Sequence, residues 1–262
     1  MIGFLFKKFF FDVWDNLIIT AVLNLGFLLF VSLAFILLSV LPPSLSALGV
    51  VLFVVFVFAL CVYICAAASV VNEVSDYRHP GLAVFAANLK GALLPAAALF
   101  AALALVVFVV WFTIPVYLGM NNLPGLAAAF FSCWICLSIL ASIQFYPAVY
   151  YRLGRRPLKS LKKCALIFFD NTGFCFFSLF VNVTLSALVL SCPCWPLLYL
   201  DEALRLRLFK YDWLDSMALE QNKNRYEPDW KRAKIPWREL LADEREKTGS
   251  RSLKSFIFPW KE

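Results

Sequence analysis

Three groups of residues in this chain have the types and spacing that chemistry uses. The first lies in "PLLYLDEALRLRLFKY", where Asp201 and Glu202 sit among leucines just ahead of Arg205. Residues three and four apart share a helix face, so either acid can pair with Arg205. Ionisable side chains inside a membrane are functional candidates by default. The second group is Asn24, Gln144 and Asn182, amides within otherwise apolar stretches. With Asp201 they would make a polar intramembrane site for a small solute or for a polar segment of a partner. The plainer reading is that they hold helices together by hydrogen bonds, as polar residues in bundles commonly do. The third group is cysteine: Cys133 and Cys136 in "CWIC", Cys192 and Cys194 in "CPC". An oxidising compartment would permit disulfides there. Thioredoxin-like chemistry needs a βαβ setting that this sequence lacks, and buried free cysteine behaves as a small hydrophobe. The single histidine, His79, stands near Glu73 and Asp76 without zinc spacing. No metal and no cofactor are expected. With no phosphate loop, nucleophile elbow or zincin motif, the reading is of a protein that is not an enzyme.

The elements that must position these residues follow from composition. Of 262 residues 62% are hydrophobic and 16% charged, whereas an ordinary soluble domain carries about 25% charged residues. The charges are also segregated: none occurs from Asn16 to Asn72, from Gly91 to Tyr151, or from Asn171 to Leu200. These windows predict an all-α, polytopic membrane protein. Each of the first two exceeds 50 residues and has a proline or glycine break, room for two helices of about 20 residues across a core of about 30 Å. The expected helices are 17–40 and 45–71, turned by "LPPSLSALG", then 91–113 and 125–151, separated by "IPVYLGMNNLPG". The first apolar stretch is too long for a signal sequence and lacks a suitable cleavage site, so it is read as an anchor.

The third window has 30 residues, more than one span needs. Extending it to Lys210 gives helices 172–191 and 196–210, with Pro193 and Pro196 at the turn, where a missing backbone donor does no harm. The result is a six-helix transmembrane bundle built from three helical hairpins. This count places every Lys and Arg on one side: Lys7 and Lys8, Arg78 and Lys90, six from Arg152 to Lys163, and fourteen from Arg205 onward. Basic residues near span ends favour the cytoplasm, which puts both termini there. The transmembrane domain is then 1–210 and the cytoplasmic tail 211–262. From the helical rise, Asn24, Gln144, Asn182 and Asp201 each lie about 11 to 13 Å from the cytoplasmic end of their helices. Two acids near the middle of the sixth helix cost about 2.5 to 3.5 kcal/mol each on insertion, so that helix depends on the others. Small residues four apart, Ala97 with Ala101, Ala98 with Ala102 and Ser138 with Ser142, suit close helix approach.

"YRLGRRPLKSLKKCALIFFDNTG" joins six basic residues to an apolar flank and reads as an interfacial helix attracted to anionic headgroups. The tail mixes its acids and bases, which argues against nucleic acid as a partner. It contains "PWRELLADEREK", a short amphipathic helix, and carries Trp230, Trp237, Phe256, Phe258 and Trp260. Aromatic side chains of this kind favour a membrane surface or a partner contact.

Four segments, "DNLIITAVLNLGFLL", "GLAVFAANLKGALLPAA", "FYPAVYYRLGRRPLKSLKKCALIFF" and "PLLYLDEALRLRLFKY", together resemble the YesL-like family of small bacterial membrane proteins of unknown function. The likeness spans roughly residues 9–211. It implies a six-helix protein of the bacterial inner membrane with an accessory role in transport, since such proteins are often encoded beside carbohydrate-uptake genes. It carries over no catalytic residue. The expected partners are the lipid bilayer and a membrane protein or a second copy of the chain. The expected role is an accessory or assembly subunit of a transport or envelope complex, with small-solute transport as the alternative.

Overall fold

The computed structural model describes residues 2–188, 193–220 and 235–249. Among these residues the regular elements are helices: α1 (Ile2–Asp15), α2 (Leu17–Val40), α3 (Ser46–Ser75), α4 (Leu82–Asn88), α5 (Leu93–Phe108), α6 (Ile114–Gly119), α7 (Leu123–Ile143), α8 (Tyr146–Leu153), α9 (Pro157–Asp170), α10 (Thr172–Leu188), α11 (Cys194–Glu220), α12 (Trp237–Leu240) and α13 (Ala242–Thr248). The chain divides into two compact units, Asn16–Asp201 and a smaller one of Met1–Asp15 with Glu202–Glu262. Helix α11 supplies residues to both.

Four helical stretches in the larger unit are long and apolar enough to cross a membrane: Leu17–Val40, Ser46–Ser75, Leu93–Gly119 and Leu123–Ile143. Helices α9 and α10 meet at a bend of 108° and would count as a fifth span if taken together. Large apolar side chains stand open on these helices, with Ile18 and Trp111 each 80% exposed and Phe35 74%. Water would not tolerate such a surface at this density, and hydrocarbon would.

Prolines explain where the expected helices and the observed ones part. The third span runs to Gly119, past Thr113, because Pro115 is absorbed within it. A proline ring presses on the carbonyl four residues earlier, here that of Trp111, and a wide π turn over Val109–Thr113 falls across that position. Such local adjustment is how membrane helices re-satisfy backbone groups that a proline frees. At Pro147 the outcome differs: α7 stops at Ile143 and α8 begins at Tyr146. The expected helix 125–151 is therefore two helices. Helix α3 also continues beyond Val71 to Ser75, carrying Asn72 and Glu73 with it, and ends in a left-handed residue, Tyr77, at φ 59°.

Within the larger unit α3 packs on α2 and α5. The Tyr63 hydroxyl donates to the Leu23 carbonyl at 2.5 Å, and the Phe27–Tyr63, Phe30–Phe56 and Phe58–Phe100 ring pairs line the same seams. Ala66, Ala67 and Ala68 on α3 and Ala96 on α5 are fully or almost fully buried, the small residues that let backbones approach. Ala97 and Ala101 are exposed instead, and Ala98 and Ala102 are half-buried.

The smaller unit contains a helix that the charge segregation conceals. Helix α1 buries Phe4, Leu5, Lys8, Phe11 and Asp12, a stripe at spacings of three and four that marks an amphipathic helix. Arg245 of α13 lies over the Phe4 ring at 5.9 Å, and Lys7 Nζ donates to the Gly249 carbonyl at 3.2 Å. The described part of the tail thus folds on the first helix, and "PWRELLADEREK" forms two short helices, α12 and α13, which turn at Leu241.

The hairpin between α6 and α7 closes on Gly125, where an added Cβ would meet the Tyr117 carbonyl oxygen at 2.6 Å. At Gly26 the first obstacle is the movable Tyr63 hydroxyl at 2.9 Å. Gly125→Ala is therefore expected to destabilise the detergent-solubilised protein by about 1 to 3 kcal/mol and Gly26→Ala by less. Thermal unfolding of both variants checks this, and a larger loss at Gly26 would refute the packing described.

Candidate functional site

At the C-terminal end of α3 a sharp turn, the short helix α8 and the start of α11 bring a cluster of polar side chains together inside the larger unit. The polypeptide reaches this point because the break at Pro147 sets α8 off from α7 and delivers Arg152. The Arg152 guanidinium grips Asp201 with two bonds, Nε to Oδ1 at 3.0 Å and Nη2 to Oδ2 at 2.5 Å. This is the fork geometry that makes arginine–carboxylate pairs strong and directional. Nη1 reaches Asp76 Oδ1 at 3.1 Å, and Nη2 also bonds the Ser75 hydroxyl. Ser75 donates to Asp201 Oδ2 at 2.5 Å, and Asn72 Nδ2 to Asp201 Oδ1 at 3.4 Å.

Asp201 is 2% exposed, so its charge survives only because it is paired and hydrogen-bonded. Four hydrogen bonds fall on its two oxygens, which takes up the roughly four lone-pair positions a carboxylate offers. None remains to accept a substrate's proton. For Arg152, burial works against the charge, and the Asp201 and then the Asp76 carboxylates more than offset it, raising its pKa above the ordinary value. The guanidinium stays charged at every working pH. Chemically this is a clamp: it joins three elements distant in sequence and holds one net negative charge among two acids and one base.

The residues singled out by sequence are distributed as follows. Arg205 pairs with Glu244 of α13 at 2.8 Å. Glu202 belongs to the smaller unit, where its Oε1 lies 3.7 Å from Lys8 Nζ and Lys8 bonds Asp12 one turn on. Asp201 and Glu202 thus serve different units. Asn24 Oδ1 accepts from the backbone N–H of Cys194 at 3.1 Å, capping from α2 the first turn of α11, where backbone donors lack helical partners. Gln144 Nε2 donates to the carbonyls of Ala141 at 2.9 Å and Cys175 at 2.8 Å, so it ties the break after α7 to α10. Asn182 is half-buried on α10. Trp237 is half-buried at the start of α12, while Trp230, Phe256, Phe258 and Trp260 lie outside the described residues, as does Cys192.

Gln144 Oε1 and the Tyr146 hydroxyl are among the buried polar atoms with no hydrogen-bond partner among the described residues. His79 Nδ1 lies 3.0 Å from Asn16 Oδ1. Cys61, Cys65, Cys133, Cys136 and Cys164 carry free thiols. Sequence reasoning did not place Arg152 or Ser75 at this site, and it set Asp76 beside His79 instead. The available signal was weak: Arg152 is the first base after a 61-residue uncharged window, and Ser75 and Asp76 follow directly on an apolar helix.

No family model, curated protein or solved structure matches the chain.

Arg152→Met should leave Asp201 buried without its counter-ion and cost about 3 to 5 kcal/mol, whereas the Arg152→Met/Asp201→Leu double variant should recover most of that loss. A double-mutant cycle on unfolding in detergent reads the coupling. Simple additivity of the two single effects would mean that the clamp contributes nothing.

Proposed function

We propose that the chain is a YesL-like integral protein of a bacterial inner membrane that acts as a non-enzymatic accessory or assembly subunit of a transport or envelope complex. Its six spans leave both termini in the cytoplasm, the sixth formed by the 196–210 portion of α11. The distribution of basic residues supports an even count, since any odd number of spans would separate them across the membrane.

The observation that carries the accessory reading is how the polar side chains of the apolar unit are occupied. Asp201 is saturated by Arg152, Ser75 and Asn72. Asn24 caps α11, and the Gln144 amide nitrogen bridges two carbonyls. Groups that recognise a solute must be left open to it, and these are engaged in holding helices together. The outward faces of α2, α3, α5 and α7 are by contrast broad and apolar, suited to lipid and to the helices of a larger partner.

A small-solute carrier is the second reading, favoured by the unpartnered Gln144 Oε1 and Tyr146 hydroxyl. The two readings part in a direct experiment. In-cell crosslinking, with identification of the attached protein, is expected to return one recurrent membrane partner; a monomer at native expression together with solute uptake abolished by Gln144→Leu would favour the carrier. For the topology, protease added outside sealed spheroplasts should leave the C-terminal tail intact, and cleavage there would overturn the six-span arrangement.

A further inference from the structure

Helices α5, α7 and α9 leave an apolar groove between them of about 560 Å³, within the range of roughly 300 to 1,000 Å³ typical of small-molecule sites. Ala102 on α5 and Ser138 and Ser142 on α7 line it. These small residues match the spacing expected for close helix packing, yet here they create space. On α7 the groove extends from Phe131 to Ile143, about 18 Å by helical rise. One leaflet of a bilayer is about 15 Å of hydrocarbon, half of the full core. The groove is therefore as long as one acyl chain is deep. Phe131 and Trp134 at its wall are strongly exposed, so it opens sideways, toward lipid.

The charges beside it supply the second half of the argument. Helix α9 lines the groove with Leu161, Cys164, Ala165, Phe168 and Phe169 and carries the basic cluster at its start. Lys162 stands one turn before Ala165 and two before Phe169 on the same stripe. Within the cluster Lys163 Nζ is committed to the Leu153 carbonyl at 2.5 Å, and the Arg155 guanidinium lies 5.8 Å from the Tyr151 ring centre. Arg156, Lys159 and Lys162 are exposed, and no salt bridge engages them among the described residues. Three unpaired cations therefore adjoin the end of a chain-length apolar groove.

We infer that this groove is a binding site for an anionic phospholipid, one acyl chain lying between α7 and α9 and the headgroup phosphate meeting Lys159, Lys162 and Arg156. The site needs only that the larger unit be embedded in lipid, and it stands whether the chain serves as a subunit or as a carrier. The test is native mass spectrometry of the full chain released from mild detergent after equilibration with phosphatidylglycerol or phosphatidylcholine. Phosphatidylglycerol should be retained preferentially, and the Lys159→Gln/Lys162→Gln variant should lose that preference by about fivefold for each lysine removed. Ala165→Trp, which fills the groove, should reduce retention of both lipids. Equal retention of the two lipids by the unaltered chain, or an unchanged preference in the lysine variant, would overturn the inference. If Ala165→Trp does not fold, tryptophan fluorescence in vesicles with brominated acyl chains replaces it. The quenching lost on Trp134→Phe should be greater with brominated phosphatidylglycerol than with brominated phosphatidylcholine, and equal losses would again overturn the site.

Discussion

A guanidinium and a carboxylate from positions 49 residues apart meet inside a unit made almost wholly of hydrocarbon. That constraint shapes the surrounding structure. Removing either charge from water costs several kcal/mol, and the pair is tolerable only with good geometry and with every remaining lone pair satisfied. The chain meets this demand by extending α3 past its apolar stretch, so that Asn72 and Ser75 reach Asp201. It then turns through Tyr77 in the left-handed region, leaving Asp76 beside Arg152. A tyrosine in that conformation is unfavourable on its own. Its position directly after Asp76 gives it a reason, because it ends α3 where the clamp needs an end.

The helix breaks follow a related logic. Pro115 and Pro147 remove the same backbone donor, yet one is carried inside a span and the other separates two helices. At Pro115 a single wide turn relieves the clash, and the helix continues to Gly119. At Pro147 the helix breaks, and just before it the Gln144 side chain donates to the carbonyl of Ala141 and reaches that of Cys175 on α10, holding the end of α7 where the backbone leaves the helical path. This departure aims α8, and with it Arg152, at Asp201. An amide placed in a membrane helix thus acts here as helix glue.

Packing in the larger unit is uneven in an informative way. The α3–α5 seam is dense with alanine, while a groove opens among α5, α7 and α9 over Ala102, Ser138 and Ser142. Small side chains permit close approach but do not enforce it. Where three helices meet, the same residues leave a void lined by their larger neighbours. Amphipathic α9 supplies the third helix, its basic start and apolar end joined in one stripe, and so couples a charged rim to an oily interior.

Much of this protein was legible in its residues alone. Long uncharged windows require helices in lipid, because only a helix satisfies each backbone group within its own segment. Leu17–Val40 begins and ends where those windows and the "LPPS" turn place it. The amides at 24 and 144 could be recognised as unusual, and Asp201 as a buried charge in need of a partner. What the one-dimensional pattern could not supply was the partner itself. Helical spacing offered Arg205 to Asp201, yet Arg205 turns to Glu244 and Asp201 to Arg152. Spacing along one helix reports only which side chains share a face. Which helix that face meets is set by where the chain breaks and turns, and at Ser75 and Pro147 those breaks are held by hydrogen bonds between segments far apart in sequence.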